Sequence, residues 1–254
     1  MKKTLLGAAI ALLSSSAVYA QDYQFEVGAV YMTGDTFGVD YDGFGLNAEL
    51  HLDTVDTTKG PLNEAAFLDK SSYANLSWAT AELDVPGAES ADTVAISGRF
   101  VTQANLIVEA NYIDTDADSA MGLGIGTYIN ETMDVVVSYQ TADKADSSTL
   151  SVDLHGVNAL EGETAVAFDL GLAYLDVGPE TGHGITAGAD YYFNKAFSVG
   201  AGLTLQSAGD ADISTIDIRA DYFVTPVARI GFGVTTLGQD GDGQTVQLNA
   251  AMRF

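Results

Sequence analysis

The sequence predicts an all-β protein, a transmembrane antiparallel up-and-down β-barrel of about 14 strands, with 12 or 16 strands as alternatives. Three observations predict this fold class. Apolar and polar residues alternate in segments of about ten residues, tight turns alternate with longer acidic connections, and charged side chains avoid the apolar parity. About ten residues is also the length that a tilted membrane strand requires.

The N-terminal residues 1–20 predict a secretory signal peptide for Sec-type export. Lys2 and Lys3 precede an apolar stretch from Leu5 to Leu13, and small residues then lead to Ala20. This order of a basic, an apolar and a small-residue region is typical of a cleavable leader, and the apolar stretch is too short to cross a bilayer. Cleavage is expected after Ala20.

Residues 21–254 then form the predicted barrel. No later segment has the ~20 consecutive apolar residues of a membrane helix. Without Cys the chain has no disulfide scaffold. Once Lys2 and Lys3 leave with the leader, 8 Lys and Arg face 35 Asp and Glu, a formal net charge of −27. Such a chain repels nucleic acid and attracts cations, while its 47% hydrophobic content excludes a disordered acidic polymer.

The alternation is clearest in four segments. Their apolar faces are Tyr23, Phe25, Val27, Ala29 and Tyr31; Leu106, Val108, Ala110 and Tyr112; Val166, Phe168, Leu170, Leu172 and Tyr174; and Phe197, Val199, Ala201, Leu203 and Leu205. Period two is the signature of a strand with two different faces. The residues between these positions are mostly polar or glycine, so one face of the sheet is predicted to meet an apolar medium.

The connections predict a meander rather than a Greek-key sandwich. The tight turns are TQAN (102–105), INET (129–132), NALEGE (158–163), FNKA (193–196) and VTPV (224–227). The longer connections between them are TGDTFGVDYDG (33–43), DVPGAESAD (84–92), DTDADSA (114–120), ADKADS (142–147), VGPETGH (177–183), SAGDAD (207–212) and GQDGDG (238–243). A membrane barrel places its short turns on one side and its long loops on the other.

The charged residues of the strands give the sharpest evidence for a lipid-facing surface. In the strand cores the apolar parity contains no Lys, Arg, Asp or Glu. The predicted pore-lining residues lie on the other parity: Arg99, Arg219, Arg229, Arg253, Glu26, Glu49, Glu109, Asp169, Asp190, Asp217 and Asp221. A charge facing hydrocarbon near the midplane costs a few kcal/mol, so this segregation is expected of a barrel in a bilayer.

Outward aromatic residues collect near the strand ends, as in the two interfacial girdles of a membrane barrel. Those predicted near the tight turns are Tyr23, Phe100, Phe193, Phe197, Tyr222 and Phe254, and those near the longer connections are Tyr31, Phe44, Tyr112, Tyr139 and Tyr174. The terminal stretch QTVQLNAAMRF is predicted to be the closing strand, which pairs with the first strand so that no edge remains open in lipid.

With this terminal strand the sequence resembles bacterial outer-membrane porins, whose last strand commonly ends in Phe. The stretch TKGPLNEAAFLDKSSYANLSWA (58–79) is similar to one in the putative general porin family of gammaproteobacteria. The resemblance implies a Gram-negative outer membrane, lipid and lipopolysaccharide around the wall, and recognition of Phe254 by the barrel-assembly machinery. It also implies a possible homotrimer and a water-filled channel for passive diffusion of small hydrophilic solutes.

Two features of the interior leave alternatives open. Residues 53–71 predict a short amphipathic helix, which either folds into the lumen as a partial plug or, as slightly favoured, sits in the periplasm. Arg219, Arg229 and Arg253 lie on successive strands, where they either set a transverse field for permeating solutes or only pair with neighbouring acids. The net charge predicts that the pore prefers cations.

No cofactor, metal site or enzymatic activity is predicted. DTDADS resembles the start of a calcium loop, but Ser119 and Ile125 replace the glycine and glutamate that such a loop needs. An outer-membrane hydrolase is the less favoured alternative, because His51, His155 and His183 have no recognisable nucleophile motif nearby. A barrel with an adhesion or structural role is the other alternative, although its predicted connections are short and acidic.

Overall fold

The computed structural model describes residues 22–209, 211–239 and 242–254, so the predicted signal peptide lies outside the described residues. The strands are β1 (Tyr23–Thr36), β2 (Val39–Val55), β3 (Tyr73–Leu83), β4 (Ala91–Val101), β5 (Leu106–Thr115), β6 (Ser119–Asn130), β7 (Met133–Ala142), β8 (Ser147–Ala159), β9 (Ala165–Val177), β10 (Glu180–Asn194), β11 (Phe197–Ala208), β12 (Ala211–Thr225), β13 (Ala228–Gln239) and β14 (Gly243–Arg253). A 3₁₀ turn (Leu62–Glu64) leads into α1 (Ala65–Leu68), a helix of a single turn.

Each strand pairs antiparallel with its neighbours in the chain, and β1 also pairs with β14, so the sheet closes into a barrel. At the closing seam Glu26 lies opposite Arg253, and the ladder continues to Thr36 opposite Gly243. Closure gives every strand two hydrogen-bonded neighbours, which a bilayer demands because it offers no water to unpaired backbone groups. The predicted fold class and the prediction of 14 strands are confirmed.

The two faces of the wall differ as the alternation predicts. On β6 the outward residues Leu123 and Ile125 are 69% and 65% exposed, whereas Gly122 and Gly124 between them are buried. Large exposed apolar side chains recur on all strands, and this continuous apolar surface is far larger than a soluble monomer carries. The outer face is therefore built to contact lipid.

The connections fall into two groups at opposite ends of the barrel. The turn end, as we call it, holds the connections 56–72, 102–105, 131–132, 160–164, 195–196 and 226–227, and the loop end holds 37–38, 84–90, 116–118, 143–146, 178–179, 209–210 and 240–242. Of the last two, residues 210, 240 and 241 lie outside the described part of the chain. Because consecutive connections alternate between the ends, the meander is regular.

The predicted contrast between short turns and long loops is wrong in length. The connection predicted at 33–43 is only Phe37 and Gly38, and the one predicted at 177–183 is only Gly178 and Pro179. Thr33, Asp35 and Asp42 remain paired in the ladder between β1 and β2. Polar residues beyond the lipid keep their backbone hydrogen bonds, so a change to polar composition does not end a strand.

Tyr23 is also placed differently from its prediction. It is 3% exposed and points into the barrel, instead of joining the outer aromatic girdle. The pairing of β1 with β2 shifts register between Tyr23 and Phe25. Across this shift β1 advances by two residues, from Tyr23 to Phe25, while β2 advances by five, from Val55 to Leu50, so the regular pleat that orients Phe25 does not extend to Tyr23.

Candidate functional site

The segment 56–72, which we call the plug, lies inside the barrel at the turn end. Its helix α1 buries Ala65 against Tyr23 and Val55 of the first two strands. On the opposite side of the barrel Leu68 packs against inward residues of three strands, namely Val157, Ala165, Ala167 and Tyr192. The prediction that favoured a periplasmic position is therefore wrong. Apolar side chains on both faces of so short a helix are best buried inside the wall.

Phe67 anchors the plug to a third part of the wall. Its ring centroid lies 4.3 Å from that of His155 in an edge-to-face contact and 5.3 Å from that of Tyr128. It also packs against the cluster of Ile107, Tyr128 and Val136 on β5, β6 and β7. Together the three contacts show that the plug spans the cross-section of the barrel.

None of the helices in the described part of the chain has the length and apolar character of a membrane span.

Polar contacts join the plug to the wall through one histidine. His155 Nε2 lies 3.1 Å from Glu64 Oε2 of the plug, and His155 Nδ1 lies 2.7 Å from Asp169 Oδ1 of β9. The Tyr192 hydroxyl donates to Glu64 Oε1 at 2.5 Å. Both ring nitrogens of an imidazole can donate only when the ring is protonated, so the geometry matches a cation between two carboxylates. We call Glu64, His155 and Asp169 the plug bridge.

Two of the four predicted arginines also bind the plug. Arg253 donates to the Leu62 carbonyl at 2.8 Å and to Glu26 at 2.5 Å. Its guanidinium carbon lies 4.4 Å and 4.6 Å from the ring centroids of Tyr23 and Phe223, as in a cation–π contact. Arg229 donates to Asn63 Oδ1 at 2.9 Å. These contacts make the β13 and β14 wall a second attachment of the plug.

All four predicted arginines face the interior in ion pairs with acids. Arg99 Nη1 lies 3.0 Å from Glu109 Oε1, and Arg99 Nη2 pairs with Asp134. Arg219 Nε lies 3.0 Å from Asp190 Oδ1, and Arg219 Nη1 lies 2.7 Å from Asp217 Oδ2. Arg229 Nη1 lies 3.5 Å from Asp221 Oδ1, and Arg253 pairs with Glu26. Half-buried pairs of this kind satisfy charges that would otherwise be costly to desolvate. The arrangement is the one expected from the pairing alternative.

The remaining predicted pore-lining residues also face inward. Glu49 accepts from the Asn75 amide at 3.4 Å and lies 3.1 Å from His51 Nε2, and Asp169 belongs to the plug bridge. The structure adds Asp134, Glu64 and His51 to this set. Asp134 shares the inward parity of β7, so the sequence pattern contained a signal for it. His51 shares the inward parity of Glu49 on β2, so the pattern contained a signal for it as well. Glu64 had none, because its partners His155 and Tyr192 are distant in the sequence.

Between the ion pairs and the loop end, the inner wall is mostly polar, and its charged side chains include Asp153 and Asp217. The inward residues of this middle zone include Asn75, Ser97, Asn111, Ser138, Gln140, Thr186, Thr204, Thr235 and Gln247, with Gly122, Gly188, Gly202 and Gly233 between them. Hydroxyl and amide side chains hydrogen-bond water readily, and glycines leave the wall without bulk. This zone is therefore suited to hold water.

The loop end is strongly acidic. Its described acids are Asp35, Asp40, Asp42, Glu82, Asp84, Glu89, Asp92, Asp114, Asp116, Asp118, Asp143, Asp146, Asp176, Glu180, Asp212 and Asp242. Within the described part of this end, Lys144 is the one Lys or Arg. The backbone N–H groups of Lys144, Ala145 and Ser119 all donate to the Asp118 carboxylate and lower its pKa, so it is anionic at neutral pH.

Metal chemistry has no evident site in the described residues, where no three His, Asp or Glu side chains are grouped to hold an ion. The three histidines occupy different parts of the barrel. His51 is buried beside Ser71, His155 belongs to the plug bridge, and His183 is exposed on β10.

Comparison with protein families gives a match to the family described as "Putative general bacterial porin", over residues 1–177 and 131–254. The two matched ranges together cover the whole chain. A comparison with curated proteins gives no match.

Several solved barrels share the fold. The Acinetobacter baumannii outer membrane protein Omp33 has a TM-score of 0.70 at 23% identity, covering 92% of this chain and 99% of that one. A bacterial polysaccharide outer membrane secretin has a TM-score of 0.56 at 12% sequence identity, and the match covers 91% of this chain and 99% of the secretin chain. The low-pH structure of Pseudomonas putida OprB has a TM-score of 0.52 at 10% sequence identity, and the match covers 100% of this chain and 98% of the OprB chain. At these identities the similarity shows the fold.

Proposed function

The chain belongs to this family of general bacterial porins and forms an outer-membrane channel, and from that premise we propose that it passes small hydrophilic solutes and ions by passive diffusion with a preference for cations. The observation that carries the cation preference is the distribution of charge. Acids crowd the loop end, while all four arginines of the wall are paired with acids nearer the turn end.

The acidic mouth supports the cation preference through its electrostatic potential. A mouth lined by one sign of charge concentrates counter-ions at the entrance and raises their rate of entry. Paired arginines contribute little net positive field, because each acts together with a carboxylate a few ångströms away. The arginine cluster therefore does not oppose the mouth, and K⁺ is expected to pass more readily than Cl⁻.

The plug supports a second part of the proposal, that the open pathway is narrow. Its side chains contact wall residues on opposite sides of the barrel, so solutes pass the turn end only beside the plug or after it shifts. Water and small ions need less room than sugars. Ion conductance per barrel is therefore expected to be small while the plug bridge is intact, and to rise when the plug is released.

Reversal potentials in planar bilayers test the cation preference. Under a KCl gradient around 0.1 M, the potential is expected to have the sign of K⁺ selectivity. At 1 M salt the Debye length falls to about 3 Å, so the selectivity is expected to weaken. A variant that neutralises Asp116 and Asp143 at the mouth is expected to lose much of it, whereas neutralising Glu161 and Glu163 at the turn end removes the same number of charges and serves as the matched control. Anion preference in dilute salt would contradict the proposal.

Phe254 supports assembly by the barrel-assembly machinery, which we also propose. Its carbonyl accepts from the N–H groups of Gln24 and Phe25 at 2.7 and 3.0 Å, and its N–H donates to the Phe25 carbonyl at 2.7 Å. Its side chain is 53% exposed on the outer face, so it is accessible before closure. Sec-type export, contact with lipopolysaccharide and a homotrimer remain proposals of the same kind. The mass of the detergent-solubilised protein tests the homotrimer.

The alternative functions have less support. The family and the fold indicate a channel rather than an enzyme. An esterase and protease screen of the purified barrel tests the hydrolase alternative. An adhesion or structural role needs surface for a partner, but the described loop-end connections are short, the longest being residues 84–90.

A further inference from the structure

A hollow of about 190 Å³ opens in the inner wall beside the ion pair of Arg99 and Glu109. Its polar lining comes from four strands and consists of Tyr73, Ser97, Glu109, Asn111, Ser138 and Gln140. We call it the inner-wall hollow. It lies between the plug and the loop end, where a solute that enters through the mouth meets it before reaching the plug.

Two glycines of β6 lie between the lining residues of β5 and those of β7. Gly122 lies opposite Asn111 on β5 and Gln140 on β7, and Gly124 lies opposite Glu109 and Ser138. The register therefore places Asn111 and Gln140 on either side of Gly122, and Glu109 and Ser138 on either side of Gly124. At both positions β6 has no side chain that points inward. A Cβ on Gly122 would stand 2.2 Å from Asn111 Oδ1 and 3.4 Å from the Gln140 Cβ, so any larger residue there displaces the lining.

Several polar groups of the hollow are available to a ligand. Within the described structure the side chains of Ser97, Asn111 and Gln140 have no hydrogen-bond partner in the protein. Glu109 offers one free oxygen. Its Oε1 accepts from Arg99 at 3.0 Å, whereas its Oε2 accepts no hydrogen bond within the described structure, and the residue belongs to the lining of the hollow. Ser138 is partly engaged with Ser151 at 2.8 Å.

We propose that the inner-wall hollow binds a small uncharged polyhydroxylated solute of monosaccharide size. This inference rests on the proposed function, since it names a solute class for the same channel. A hydroxyl group both donates and accepts, which matches two carboxamides, two serine hydroxyls and a free carboxylate oxygen. The nearby guanidinium of Arg99 is already shared between Glu109 and Asp134, so an anion has no free cation to bind.

The expected affinity is weak. Each hydrogen bond to the hollow replaces one to water, so its net contribution is small, and the hollow encloses only part of a sugar. Dissociation constants on the order of millimolar are therefore expected, which suits a channel because tight binding would slow release.

Saturation-transfer NMR on the intact barrel in detergent tests the proposal with D-glucose as the probe. Wild-type protein is expected to transfer saturation to the sugar ring protons. The double variant N111A/Q140A is expected to weaken binding by about tenfold, from the loss of at least two hydrogen bonds. Gly122→Ala displaces the Asn111 carboxamide, which a Cβ at position 122 would meet at 2.2 Å, and is expected to act in the same direction. The matched control is Gln247→Ala, which shortens an inward amide on β14, outside the hollow.

Three outcomes overturn the inference. These are no transfer to glucose in the wild type, equal transfer in N111A/Q140A, or displacement of glucose by millimolar methylammonium, which would identify a cation site instead. Heat resistance of each variant in detergent checks folding, and Gly122→Ala keeps the test decisive if the double variant unfolds. Reversal potentials measured on the same samples report the proposed cation channel separately, so the two proposals fail independently.

Discussion

The imidazole of His155 on β8 meets the carboxylate of Glu64 in the plug at 3.1 Å, although 91 positions separate the two residues in the chain. The other ring nitrogen is held by Asp169. A cation held between two carboxylates is a strong, directional contact. This pair therefore ties the plug to the wall, and the conductance of the barrel is expected to depend on it.

Replacement of His155 by glutamine is expected to free the plug. Glutamine keeps a donor but removes the positive charge, so Glu64 and Asp169 lose their shared cation. Hydrogen bonds to charged groups contribute about 1.5–3 kcal/mol, so the population with a displaced plug is expected to rise on the order of tenfold or more. Single-barrel recordings measure this as more frequent or larger openings. His183→Gln alters an exposed histidine of β10 and is expected to leave the recordings unchanged, and equal traces for both variants would contradict the role of the bridge.

Truncation of Leu68 is expected to loosen the plug without dismantling the barrel. Leu68 is buried among Val157, Ala165, Ala167 and Tyr192. Leu→Ala substitutions at buried sites cost about 2–5 kcal/mol. The wall is held by its own closed ladder of hydrogen bonds, so the lost packing energy is expected to affect the plug. The expected observation is faster hydrogen exchange of the amides in residues 56–72. Leu76→Ala on the lipid-facing side of β3 is the control, and uniform loss of protection in both variants would show that the plug is no separate unit.

A charge at Phe254 is expected to impair assembly. Phe254→Asp places a carboxylate at the closing seam, where the residue pairs with Phe25 and its ring faces outward. The outer-membrane level of the protein and its heat resistance in detergent are expected to fall well below those of Phe100→Asp, which alters an exposed aromatic away from the seam. If both variants assemble equally, Phe254 has no special part in closure.

The Asp118 contact predicts a pH effect at the loop end. Backbone N–H groups of Lys144, Ala145 and Ser119 donate to this carboxylate and lower its pKa from the ordinary value of 3.8. A lowered pKa in the folded state means that the stabilisation is present above pH ~4 and is lost as pH falls through the folded value. Protection of the Lys144 and Ala145 amides from hydrogen exchange is therefore expected at pH 6 and is expected to decline as the pH is lowered through the folded-state pKa.

Asp118→Asn supplies the comparison for this pH effect. The variant is expected to lose that protection at pH 6 already, because a neutral amide is a weaker acceptor. Asp176→Asn removes the same charge from the loop end without these contacts. If it changes the exchange of both amides as much as Asp118→Asn does, the effect comes from the negative electrostatic potential of the loop end rather than from the hydrogen bonds that Asp118 accepts.

The sequence by itself determined the wall. The alternation on β5, where Leu106 and Val108 face out and Glu109 faces in, depends only on the period of a strand, which is a local property. The same local period placed all four arginines on the inward parity. The number of strands followed, because each segment of alternation corresponds to one crossing of the membrane. Local patterns of this kind need no knowledge of distant contacts.

Only the tertiary structure decided what fills the turn end. Residues 53–71 carried the pattern of a short amphipathic helix, which fits the periplasm and the lumen equally well. The decision comes from long-range complementarity, since Glu64 meets His155 and Tyr192, and Leu68 meets β8, β9 and β10. Two other features were decided in the same way. Tyr23 points inward at a shift in register, and the strands extend into the polar segments 33–43 and 177–183. Each depends on the partner strand and its register, which the local sequence does not contain.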